Sequence, residues 1–72
     1  MKTTITITRK GNDIRVENSF GQCWYFSTKG MDTTVRTAIA TCAQMMITAT
    51  IASQLDYHDN LEFTLEVNNP QK

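Results

Sequence analysis

The sequence predicts an α+β domain of order β-β-β-α-β, in which one four-stranded, mostly antiparallel sheet carries a single long helix across one face. Three observations carry that prediction. Four short stretches alternate apolar or β-branched residues with polar ones, the period of a half-buried strand. Glycine-containing turns separate the first three of them. Between the third and fourth lies "TAIATCAQMMITATIASQL", residues 37–55, which holds 19 residues with no charge and no histidine and is far too long for one strand.

Taken in order, "TTITITR" over residues 3–9 places Ile5 and Ile7 on one face and Thr4, Thr6 and Thr8 on the other. "KGND" then supplies the Gly-Asn pair of a tight hairpin. "DIRVEN" alternates again, with Ile14 and Val16 inward and Arg15 and Glu17 outward. "SFGQ" turns at Gly21, and "CWYFST" makes a third strand with Trp24 and Phe26 inward and Cys23, Tyr25 and Ser27 outward. Gly30 ends that strand, and Asp32 is the expected N-cap of a helix running from about Thr33 to Leu55. The polar loop "DYHDN" closes the helix. "LEFTLEV", residues 61–67, alternates with Leu61, Phe63, Leu65 and Val67 inward and Glu62, Thr64 and Glu66 outward. Residues 1–67 are thus expected to form one domain, and 68–72 a disordered polar tail.

A strand that follows a helical crossover runs parallel to the strand it joins. The favoured order is third-second-first-fourth, and the alternative sets the fourth strand beside the third. Either order leaves two open edges, where another chain can pair.

Around the helix, at 100° per residue, Met31, Val35, Ala38, Ile39, Cys42, Met45, Met46 and Ala49 form one broad apolar stripe, suited to the sheet. Ile47, Ile51 and Leu55 form a second stripe on nearly the opposite side. A helix of this extent is about 34 Å long and a seven-residue strand roughly 23 Å. Its C-terminal half is therefore expected to overhang the sheet, unless a kink near Thr48 shortens it. Thr37, Thr41, Gln44, Thr48, Thr50, Ser53 and Gln54 interrupt the apolar run, and no basic or aromatic flank anchors it, which argues against a membrane span.

Length and charge narrow the function classes. A chain of 72 residues buries only about 60% of its unfolded surface, so association with a partner is an expected source of stability. Cys23 and Cys42 make no disulfide framework, and a strand of alternating Thr and Ile replaces the apolar run of an export signal. A cytoplasmic setting with reduced thiols is the expectation. Seven basic and seven acidic residues balance. Residues 1–36 hold six basic against three acidic and 37–72 one against four, so the chain is +3 in its first half and −3 in its second. A nucleic-acid binder draws its affinity from a basic excess that is absent here.

Catalytic and metal chemistry find no constellation. His58 lies between Asp56 and Asp59 in the manner of a base or ligand, but the chain has no second histidine and reads as carrying a solvated loop residue there. Cys42 reads as a core thiol, and the glycines at 11, 21 and 30 make no phosphate-cradling loop. The expectation is a non-enzymatic chain without cofactor or metal. Its candidate interface comprises Ile47, Ile51, Leu55, Asp56, Asp59, Glu62 and Glu66, which would contact another protein or a second copy through the helix or an open strand edge. The alternative is a nucleic-acid module using Arg9, Lys10, Arg15 and Tyr25 on the sheet face and the first turn.

In layout the chain resembles the small accessory proteins encoded by phages and prophages, anti-CRISPR inhibitors among them. The shared traits are very short length, one sheet with one helix, no catalytic set and a surface suited to blocking a partner. The resemblance implies stoichiometric binding to a host defence complex, inhibition by occlusion and residence in the host cytoplasm. It carries over no site residue.

Overall fold

The computed structural model describes residues 2–30, 34–57 and 60–68. Its elements are β1 (Lys2–Lys10), β2 (Asp13–Asn18), β3 (Cys23–Ser27), α1 (Val35–Gln54) and β4 (Glu62–Asn68). They build one mixed sheet in the order β3-β2-β1-β4. β1 pairs antiparallel with β2 and β2 with β3, whereas β4 lies parallel to β1. The expected strand order and crossover are both present. Asn68, assigned to the tail by its polarity, is the last residue of β4 because it pairs with Thr8; residues 69–72 lie outside the described residues.

The hairpin turns follow from the local chemistry. Gly11 takes φ 62° between β1 and β2, a conformation that strains any residue with a Cβ. The second turn is organised by Asn18 as much as by Gly21 (φ 93°). Asn18 Oδ1 accepts from the amides of Phe20 at 2.9 Å and Gln22 at 3.0 Å. Its backbone N–H donates to the Gln22 carbonyl at 3.0 Å.

The core is the helix-facing side of β1 and β2. Ile5, Ile7, Ile14 and Val16 are fully buried beneath Ala38, Cys42, Ala43 and Met46. Small residues at 38, 42 and 43 let the helix backbone settle close to the sheet, and Met46 fills the remaining depth. Trp24, Phe26, Ile39, Ile47 and Phe63 pack around this centre, partly buried.

Helix α1 departs from expectation in four respects. Its N-cap is Thr34, whose hydroxyl accepts from the Thr37 amide at 3.1 Å, so the helix begins at Val35. The expected cap, Asp32, lies with Met31 and Thr33 outside the described residues. Met45, placed in the core stripe, is 51% exposed, because the buried line runs through Ala38, Cys42, Met46 and Thr50 and tilts toward Ala43. Ile47, placed on the far side, is half-buried against the core margin for the same reason. Finally, the helix runs unbroken through Thr48 but is shorter than the expected span from Thr33 to Leu55. It has 20 residues over a nine-residue β1, about 30 Å each.

The C-terminal half is pinned by polar contacts, those of Thr50 buried and that of Ser53 exposed. Thr50 is fully buried; its hydroxyl accepts from Asn18 Nδ2 at 2.8 Å and donates to the Met46 carbonyl at 2.7 Å. Ser53 Oγ lies 3.2 Å from Gln22 Oε1. By length and composition alone this helix is also apolar enough to cross a membrane; here its buried stripe is spent on the sheet.

Candidate protein-interaction surface

β4 is the feature the helix does not cover. Its register with β1 sets Phe63 beside Thr3, Leu65 beside Ile5 and Val67 beside Ile7. Paired residues of neighbouring strands share a face, so all three point to the helix side of the sheet. Yet Leu65 is 53% exposed and Val67 42%, whereas their β1 neighbours Ile5 and Ile7 are fully buried. The cause is width. A helix is about 10 Å across, and strands stand about 4.8 Å apart, so a single helix shelters roughly two strands. This one sits over β1 and β2.

The helix supplies the wall beside this uncovered floor. Trp24 on β3 and Met45, Ala49 and Ala52 on α1 line an apolar depression of about 430 Å³, which fixes that flank as the β3 side. At 100° per residue the opposite flank, toward β4, carries Ala43, Ile47 and Ile51. Ile51 is 38% exposed, and Leu55, just past the last turn, is more so. Exposed aliphatics thus stand both on the floor and on the flank of the helix that faces the open strand edge.

The opposite sheet face is polar. Tyr25, Arg15 and Thr8 stand in one row across β3, β2 and β1. With Lys10, Asp13 and Ser27 they line a cleft of about 580 Å³, where Tyr25 is 74% exposed. Arg15 Nε donates to Cys23 Sγ at 3.5 Å and its Nη2 to Glu17 Oε2 at 3.3 Å. The hydrogen bond to Cys23, then the charge of Glu17, raise the Arg15 pKa further above its already high value. The next row sets Cys23, Glu17, Thr6 and Glu66 side by side, so carboxylates flank the basic residues.

The structure therefore divides the expected site residues. Lys10, Arg15 and Tyr25 come together in the cleft. Arg9 does not, since alternation along β1 turns it to the helix side, where its Nε donates to the Gly11 carbonyl at 2.9 Å. Of the candidate interface, Ile47 and Ile51 share a flank and Leu55 and Asp56 lie exposed at the helix end. Glu62 and Glu66 belong to the far face of β4. Asp59 and His58 lie outside the described residues.

Leu65 and Val67 are the surface residues that sequence reasoning missed. Their inward alternation predicts burial, but one helix over four strands leaves two strands short of cover. Cys23 and Cys42 are free thiols, exposed and buried respectively, and burial pushes the Cys42 thiol pKa up. Among the described residues no three His, Cys, Asp or Glu side chains group as metal ligands. No known protein family, curated protein or solved structure matches the chain.

Proposed function

We propose that this chain is a small, non-enzymatic protein-binding module whose contact surface is the uncovered helix side of β4 with the adjoining flank of α1. The observation that carries the reading is the exposure of Leu65 and Val67 on the same sheet face as their fully buried neighbours Ile5 and Ile7. Exposed aliphatics beside an open strand edge offer a partner apolar area and main-chain hydrogen bonds together. The finer reading follows the layout the chain shares with phage-encoded inhibitors: it occupies a surface of a host defence complex in the cytoplasm and blocks it by occlusion.

Affinity capture from a bacterial lysate tests this. A protein retained by the wild type and by Tyr25→Ala, and lost with Val67→Lys, supports the reading. A target whose capture depends on Tyr25 and ignores Val67 refutes the assigned surface.

One observation favours a second reading, a nucleic-acid module, because Lys10, Arg15 and Tyr25 share the cleft on the other face. The carboxylates of Glu17 and Glu66 beside them, and the commitment of Arg15 to Glu17, weigh against it. Binding of single-stranded DNA or RNA that falls steeply with salt and is lost with Tyr25→Ala would establish that alternative.

A further inference from the structure

The open edge of β4 has a register built into it. Thr4 donates its backbone N–H to Ser19 Oγ at 2.9 Å, and its carbonyl accepts from the same hydroxyl at 3.4 Å. Ser19 lies just beyond β2, so the even-numbered peptide groups of β1 point toward β2 and the odd-numbered ones toward β4. In the parallel register, Ile5 faces Leu65 and bonds to the residues on either side of it. The N–H and C=O groups of Phe63, Leu65 and Val67 are thus left pointing at the open edge. The same three residues present their side chains to the helix side of the sheet.

We infer that the partner for this edge is a second copy of the chain, joined by antiparallel β4–β4 pairing across a two-fold axis at Leu65. This rests on the protein-binding reading above and names one occupant of that surface. Leu65 is the midpoint of Glu62–Asn68, so pairing about it uses the whole strand. It sets Leu65 opposite Leu65, Phe63 opposite Val67, Thr64 opposite Glu66, and Glu62 opposite Asn68. Each facing pair of odd-numbered residues then exchanges two main-chain hydrogen bonds.

Charge selects this register over its neighbours. A shift of the axis to Thr64 sets Glu62 opposite Glu66 twice, and a shift to Glu66 sets that carboxylate against its own copy. Like charges directly opposite destabilise a strand pair. Centred on Leu65, no two carboxylates face directly. β4 also carries no proline and no charge on its helix side, and its two carboxylates, Glu62 and Glu66, leave the register centred on Leu65 open. Such a dimer is isologous, with an eight-stranded sheet and both helices on one face. The two helices stand about four strand spacings apart, roughly 19 Å. The joined floor of Phe63, Leu65 and Val67 from both copies lies between them, so self-pairing extends the apolar surface offered to a target.

Sedimentation equilibrium and oxidative cross-linking of the full chain test the inference. The wild type is expected at twice the chain mass, and Leu65→Glu as a monomer with an unchanged circular dichroism spectrum. In a Cys23→Ser background, Leu65→Cys should form an interchain disulfide under mild oxidation, and Thr64→Cys should not. The facing Cα atoms of a hydrogen-bonded pair are about 5.5 Å apart, within disulfide reach. Thr64→Lys, an exposed and fold-neutral change, should tighten the dimer severalfold at low salt by setting Lys opposite Glu66. In a register centred on Thr64 it would weaken it instead.

A wild-type monomer at millimolar concentration overturns the proposal. So does a dimer abolished by Ile51→Glu and indifferent to Leu65→Glu, which would be a helix pair. Target capture that persists in monomeric protein leaves the protein-binding reading standing after the dimer has failed. A dimer that captures no target separates the two in the other direction.

Discussion

Thr3 shows how one side chain departs from the logic of its strand. It is buried on the helix side beside Ile5, and its hydroxyl has no hydrogen-bond partner among the described residues. A buried hydroxyl without a partner carries its desolvation penalty with nothing to offset it. Thr3→Val keeps the shape and the β-branching while removing that group. The variant is expected to gain about 1 kcal/mol in urea unfolding; a loss of stability would show that the hydroxyl is satisfied. The alternation of Thr3 with Ile5 was plain in the sequence, but the residue's polarity hid its place in the core. Cys42 was the opposite case, since a small weakly polar side chain at a helical core position is ordinary and was read correctly.

Elements are joined here by polar contacts that no local pattern reveals. Asn18 Nδ2 donates to Gln22 Oε1 and Thr50 Oγ, each at 2.8 Å, while its Oδ1 accepts from two turn amides. It both shapes the β2–β3 turn and docks the C-terminal half of α1 onto it. Asn18→Ala removes all of these bonds from a buried position. Its expected cost is about 2–3 kcal/mol, read as a lower urea midpoint. Asn18→Asp, which keeps the acceptor and loses the donors, should fall between. Equal stability of wild type and Asn18→Ala would show that Gly21 and apolar packing suffice for the turn. The turn itself was legible from "SFGQ", but its tie to Thr50 was not, because the two residues are 32 positions apart. The helix start was misplaced for a related reason. Asp32 and Thr34 are both residue types that cap helices, and residue type alone does not choose between them.

The whole molecule is governed by a mismatch of widths, one helix over four strands. The centre closes into a core, the β3 margin is partly filled by Trp24 and Phe26, and the β4 margin is left with Leu65 and Val67 in solvent. Association that covers the β4 edge makes stability depend on protein concentration. The midpoint of thermal unfolding is therefore expected to rise with wild-type concentration over the micromolar to millimolar range. It should stay constant for Leu65→Glu. A wild-type midpoint that does not move would mean that the folded monomer is complete by itself.

Strand number, strand faces, the β1-β2-β3 meander and the existence of the helix were all readable from residue order, whereas β4 beside β1 was the favoured of two placements until the fold decided it. Each rests on a period of two or 3.6, on turn chemistry between neighbours, or on the geometry of a crossover. Coverage is different in kind. Whether Met45 or Ile47 meets the core, and whether Leu65 is buried or open, depends on where the helix axis settles over the sheet. That position is a compromise among the small residues at 38, 42 and 43, the depth of Met46 and the Asn18–Thr50 bond, all acting across the fold. Alternation says which way a side chain points; only the packed arrangement says whether anything lies above it.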